Sequence, residues 1–250
     1  MQESMPYLSV IIPTHNRVNS LRRTLDALCV QTYPLQLVEV VVVADGCIDG
    51  TMEMLRHYAP PFTLHVLEQS GKGAAAARNS GATYATGKLL LFIDDDVEPT
   101  PVLIEEHVQT HQCQPGRVVM GPYPLAFQSA GFFHAHLRAW WESQFNTMLQ
   151  PGHRFRYDNI LSGNLSIEAE IFARIGGFDP AIRSAGGEDY ELGIRLIKAG
   201  VGIAVAANAL AYHHDSSDLH RSCLRKRQEG RADVLMARRH PDIVQVLRLA

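Results

Sequence analysis

The sequence predicts an α/β fold with a mixed, mostly parallel central sheet flanked by helices. Three observations carry that expectation. Short β-branched runs alternate with stretches of helical periodicity through the first half of the chain. The runs are almost continuously apolar, as strands covered on both faces must be. Polar clusters, Thr14-His15-Asn16, Asp45 and Asp94–Asp96, directly follow three of those runs.

Taken in order, Leu8–Ile12 is a β-branched run closed by Pro13 and reads as a buried strand. Asn19 precedes Leu21, Leu25 and Leu28 at helical spacing, a capped amphipathic helix. Val38–Val43 is a second apolar run, ending near Asp45-Gly46, and Asp49 opens a helical stretch stopped by Pro60-Pro61. Phe62–Leu67 reads as a third strand, the Ala-rich 73–85 segment as a helix, and Leu89–Ile93 as a fourth strand broken by the Asp triplet. A helix follows over Pro101–Cys113. The second half is less regular. Gly121–Tyr157 is mixed; Ile160–Ile167 is strand-like, Glu168–Ile175 and Asp189–Ala199 are helical, and Gly202–Val205 and Ala209–Tyr212 lead as strands into His213-His214. Two regions are expected: an α/β domain over 1–215 and a basic helical tail over 216–250 that packs back on it.

Composition bounds the function classes. The 250 residues suffice for one large domain. A net charge of −3 gives no electrostatic case for a nucleic-acid partner. Cys29, Cys47, Cys113 and Cys223 lack disulfide or zinc spacing, which fits a reducing, cytoplasmic compartment. The N-terminus lacks the basic start of a signal peptide, and no apolar run approaches the length of a membrane span.

Three adjacent carboxylates at a strand end repel one another, by roughly 4 kcal/mol per pair at ~4 Å and an effective dielectric of about 20. A divalent cation removes that repulsion, and hard oxygen ligands suit Mg²⁺ or Mn²⁺, which keep positions open for phosphate oxygens. A solvated acidic turn is the bland alternative. The apolar strand immediately before the triplet favours the cation. In a parallel sheet, ligands bind beyond the carboxyl ends of the strands, so the three polar clusters should share one edge.

The motif series resembles the family 2 glycosyltransferases of GT-A fold, a Rossmann-like sheet architecture. Ser9-Val-Ile-Ile-Pro-Thr-His-Asn-Arg17, Val42-Val-Ala-Asp-Gly-Cys-Ile-Asp-Gly-Thr51, Ala77-Arg-Asn-Ser-Gly81 and Phe92-Ile-Asp-Asp-Asp96 come in the family's order. Ser162-Gly-Asn-Leu-Ser166, Gly176-Gly-Phe-Asp-Pro180 and Gly187-Glu-Asp-Tyr-Glu-Leu192 continue the series. The resemblance implies a metal-dependent, inverting transferase acting on a nucleoside-diphosphate sugar, with a carbohydrate, lipid-linked or small-molecule acceptor. It implies that Pro13, Thr14 and Asn16 line the nucleotide pocket and that Asp45 binds the base, which suits UDP. Arg78, Asp94 and Asp95 would lie against the nucleotide, and Asp94, Asp96 and His213 would hold Mn²⁺ or Mg²⁺. Asp189 would be the general base, with Glu188 as helper.

Several positions keep a second reading. Glu188 and Asp189, after Gly186-Gly187, also suit a helix N-terminus; Asp45 suits a turn, and Arg78 a snorkelling helix position. His214 competes with His213 as the metal ligand. Asn164 reads as a sugar contact or a buried turn residue, and Trp140-Trp141 as a stacking platform or core. The basic tail reads as a solvated helix, a lid over the diphosphate, or a patch for peripheral contact at the inner face of a membrane. It lacks the Trp of a processive motif, Ala232 standing there. A nucleotidyltransferase is disfavoured because no Gly-rich basic loop follows the first strand. A non-catalytic sugar-nucleotide or carbohydrate-binding module is the other rival.

Overall fold

The computed structural model describes residues 7–126, 131–182, 187–215 and 218–246. Gly186, expected in the turn before Glu188, and Ser216, where the basic tail was expected to begin, lie outside the described residues.

The first half alternates as expected: β1 (Leu8–Thr14), α1 (Val18–Leu28), β2 (Val38–Asp45), α2 (Thr51–His57), β3 (Thr63–Gln69), α3 (Ala74–Tyr84) and β4 (Leu89–Ile93). A short strand β5 (Val97–Pro99) and α4 (Leu103–Cys113) follow. Next come β6 (Arg117–Met120), α5 (Phe132–Met148), β7 (Asn164–Glu168), α6 (Ala169–Ile175), α7 (Gly187–Lys198), β8 (Gly202–Val205), β9 (Ala211–His213) and α8 (Leu219–Arg239).

Seven strands form one sheet in the order β3-β2-β1-β4-β7-β6-β8. β7 runs antiparallel to both of its neighbours, while the β1–β2, β2–β3, β1–β4 and β6–β8 pairs are parallel. The central strands are buried along their whole length, as their unbroken apolar character requires. α3 approaches the sheet so closely that a Cβ on Gly81 would lie 2.6 Å from Ile11 Cγ2 and 3.2 Å from Val43 Cγ2.

Three local expectations are corrected. Asn19 does not cap α1; it lies inside the helix, and the Val18 N–H instead donates to Asp49 Oδ2 (3.1 Å) across the loop. The mixed 121–157 region contains α5, and β6 precedes it, a strand too short for periodicity to mark. The strand expected over Ala209–Tyr212 does not join the main sheet. β9 pairs antiparallel with β5, with Val97 opposite His213, forming a separate ribbon. That ribbon carries His213, the last residue of β9, back to the Asp triplet, and the His214 N–H donates to the Asp96 carbonyl (2.8 Å).

Candidate active site

A cleft of about 510 Å³ opens beyond the carboxyl ends of β1, β2 and β4. Pro13, Thr14, Asp45, Arg78, the Asp triplet, Glu188, Asp189 and His213 all line it. Asn16 does not. Its backbone is left-handed (φ 53), and its Oδ1 accepts from the Ile48 and Asp49 N–H groups, so it ties two loops together behind the cleft.

The three aspartates fan out to different partners. Asp94 Oδ1 accepts from Arg78 Nη2 (2.6 Å). Asp95, expected against the nucleotide, is buried, with Thr14 Oγ1 donating to Oδ2 (2.7 Å) and Arg17 Nη1 to Oδ1 (3.0 Å). Thr24 Oγ1 donates to the carbonyls of Asp95 and Val97, fixing the turn itself. Asp96 faces His213, with Oδ1 3.4 Å from Nε2, while its Oδ2 accepts from Arg17.

The environment separates their protonation. Burial pushes the Asp95 carboxyl up to about 6, against the pull of Arg17. Burial also opposes charge on Asp96, yet His213 and Arg17 outweigh it and hold that carboxyl at about 2. The His213 imidazole is raised in turn, hydrogen bonding to Asp96 and its charge overcoming burial. His213 Nδ1 has no hydrogen-bond partner among the described residues. His214 points elsewhere, its Nε2 lying 2.6 Å from Glu98 Oε2.

Opposite the triplet, α7 presents Glu188 and Asp189 from its first turn. Arg78 Nη1 donates to Glu188 Oε1 (3.0 Å), so one guanidinium bridges Asp94 and Glu188, and it also lies over the Phe178 ring. Burial and the neighbouring Asp189 push the Glu188 carboxyl up to about 7. Burial raises Asp189 as well, although Arg78 and Ser162 draw it down. Asp189 accepts from both the Ser162 N–H and the Ser162 hydroxyl.

Asp45 closes the far end. Its Oδ1 accepts from Gln69 Nε2 and the Lys72 N–H, and its Oδ2 from the Gly73 N–H, at 2.7–2.8 Å. Burial resists, but these three donors hold the carboxyl below its ordinary value.

Two residues without an assigned role belong to the site. Arg17 ends the first motif string and bridges Asp95 and Asp96; Ser162 opens the fifth string and orients Asp189. Both were visible as motif members, but their partners are distant in sequence. Asn164 is fully buried, donating to the Ala209 carbonyl and meeting His107 Nε2 (2.8 Å), so it is a scaffold residue. Trp140 and Trp141 both line the cleft, as do Arg221, Arg225 and Lys226 of α8, with the Lys226 ammonium over the Trp140 ring. α8 is anchored through Ala232 and Met236, which pack with Tyr190 and Ile194 of α7.

Comparison with known proteins gives the family and the fold. The model of Glycosyl transferase family 2 matches residues 9–175, and that of an N-terminal domain of galactosyltransferase matches 143–216. The chain is 34% identical over 228 residues to validoxylamine A glucosyltransferase of Streptomyces hygroscopicus subsp. jinggangensis, covering 81% of this chain and 54% of that protein. It is 27% identical over 215 residues to glycosyltransferase AglE of Haloferax volcanii, covering 85% and 68%. The chain thus spans about half the length of the first of these relatives. Mannosyltransferase PcManGT from Pyrobaculum calidifontis, solved with GDP-Man and Mn²⁺, superposes with a TM-score of 0.73 at 20% identity, covering 94% of this chain and 65% of that one. S. aureus TarS 1–349 with UDP-GlcNAc gives 0.69 at 17% identity, covering 96% and 74%. Likeness at those identities speaks to the fold, which is GT-A. With the family model spanning most of β1 through α6, the chain belongs to the family 2 glycosyltransferases.

Proposed function

We propose that this chain moves a sugar from a nucleoside-diphosphate sugar, with UDP favoured, to an acceptor hydroxyl, inverting the anomeric centre with Asp189 as general base. One observation carries the reading. The Asp96–His213 pair and the buried Asp189 open into the same cleft as Thr14 and Asp45, so donor and base share one cavity.

The donor set suits a hard divalent cation. A carboxylate oxygen and an imidazole nitrogen face each other at the cleft wall, one of them low in pKa. Among the described residues no three His, Cys, Asp or Glu side chains group closely enough to hold a cation alone. Asp94 is drawn to Arg78, so Asp96 and His213 would hold Mn²⁺ or Mg²⁺. Bound there, the cation supplies charge neutralisation for the departing diphosphate.

The remaining work falls to the chain's own groups. Asp189, fixed by Ser162, takes the acceptor hydroxyl proton as the new bond forms. Arg78 keeps the Glu188–Asp189 pair tolerable by sharing its charge with Glu188 and Asp94. At Asp45, Oδ1 already accepts two hydrogen bonds and Oδ2 one, among the described residues, leaving one acceptor position. That suits the single imide N–H of uracil better than the paired donors of guanine. Arg221, Arg225 and Lys226 at the cleft favour the lid reading of the basic helix over a solvated one. No helix among the described residues is long and apolar enough to cross a membrane. The related glucosyltransferase and the solved complexes with GDP-Man and UDP-GlcNAc support the donor class.

The test is a thermal-shift screen of nucleoside diphosphates and sugar nucleotides, with and without Mn²⁺. Stabilisation should need metal and a uridine nucleotide together. A guanosine nucleotide stabilising more strongly would overturn the donor assignment, and no stabilisation by any nucleotide would overturn the transferase reading.

A further inference from the structure

Of the arginines that line the cleft, Arg17 and Arg78 pair with the Asp triplet, and they are held differently. The Arg78 side chain is 5% exposed and clamped between Asp94 and Glu188. The Arg17 side chain is 33% exposed, and Nη1 alone spans Asp95 Oδ1 and Asp96 Oδ2. Its backbone is fixed, the Leu21 N–H donating to its carbonyl at the start of α1, so the long stem is the part free to turn.

Asp96 therefore has two faces. One oxygen carries Arg17, and the other lies 3.4 Å from His213 Nε2. A divalent cation seated between Asp96 and His213 would meet the guanidinium at close range, in a cleft where solvent screens weakly. Without Arg17, Asp95 and Asp96 would stand adjacent with no cation between them. The guanidinium thus stabilises the unloaded pair and opposes a bare metal ion. A diphosphate reverses that balance, because it brings negative charge and oxygens that match the guanidinium fork.

We propose that Arg17 is a displaceable counter-cation. It occupies Asp96 in the unloaded chain and transfers to the donor's diphosphate when metal and nucleotide enter, so the two bind as a coupled pair. The inference rests on the reading of Asp96 and His213 as metal ligands.

The test follows free Mn²⁺ by its EPR signal, using the full chain with and without UDP. Wild type should bind Mn²⁺ weakly alone and roughly tenfold or more tighter with UDP. Arg17→Gln should bind Mn²⁺ alone roughly tenfold tighter than wild type, with the gain from UDP shrunk to about threefold or less. Arg17→Lys, which keeps the charge, should stay near wild type. Equal Mn²⁺ affinity of Arg17→Gln and wild type without UDP overturns the proposal and leaves the metal site standing. Absence of Mn²⁺ uptake by wild type with UDP, or uptake unchanged in Asp96→Asn, overturns the metal site and the proposal with it. Should Arg17→Gln fail to fold, Arg17→Met takes its place: Mn²⁺ binding without UDP roughly tenfold tighter than wild type supports the proposal, and affinity equal to wild type overturns it.

Discussion

Ser162 donates twice to Asp189, from its backbone N–H at 3.2 Å and from its hydroxyl at 2.5 Å, so the proposed base is oriented by the segment before β7 and not by its own helix. Asp189→Asn should keep donor binding and lose transfer by about 10²–10⁴-fold. Ser162→Ala should lose roughly tenfold, the scale of one hydrogen bond to a charged group. Steady-state rates with nucleotide binding measured in parallel check both. Near-normal turnover by Asp189→Asn removes that residue from the role.

His213 and His214 are adjacent but face different partners, Asp96 and Glu98. His213→Ala should weaken Mn²⁺ binding in the presence of UDP by about tenfold or more, while His214→Ala should leave it within about threefold. Calorimetry of Mn²⁺ with the UDP complex reads the difference, and the reverse order of effects would transfer the ligand role to His214.

Arg78 bridges Asp94 and Glu188, and both contacts are charge-assisted. Arg78→Met should destabilise the fold by about 3–5 kcal/mol, the usual result of leaving a buried charge without its partner. Urea unfolding measures it. A loss under about 1 kcal/mol would place the pair in the solvated class instead.

Glu188 carries the clearest pH signature. Its folded pKa of about 7 lies above the ordinary carboxylate value of 4.5, so its contribution to stability is full below about 4.5. That contribution is lost as pH rises through about 7. Wild type compared with Glu188→Gln across that window should show the difference in melting temperature shifting against wild type with rising pH. A pH-independent difference contradicts the shift.

Gly81 closes the Ala77–Gly81 motif for reasons of packing. Gly81→Ala would press its Cβ to 2.6 Å from Ile11 Cγ2, and it should cost about 1–3 kcal/mol as overpacking of a full core. A neutral result in urea unfolding would show that α3 can slide outward.

The scaffold was legible where burial imposes pattern. β1, β2 and β4 are buried on both faces, so their runs are unbroken in the sequence, and the polar residues at their ends mark the ligand edge. The mostly parallel sheet was legible, but the reversed direction of β7 was not. Nothing local in Asn164–Glu168 says that β7 runs antiparallel; only its pairing with β4 and β6 does. The Asp triplet was readable as a unit, but its division among Arg78, Thr14, Arg17 and His213 depends on elements brought together by the fold. Asn16 illustrates the converse case: a polar residue at the right strand end, yet turned to knit loops by its left-handed backbone.

The β5–β9 ribbon has a consequence for synthesis. Asp96 emerges from the ribosome well before His213, and the pairing of β5 with β9, with the His214 N–H on the Asp96 carbonyl, brings them together. A nascent chain can complete β1 through β4 while its Asp triplet still lacks the imidazole. On the proposed reading, it cannot hold donor and cation productively until β9 has been translated and paired. On that reading an arrest positioned before residue 211 should yield a chain without turnover.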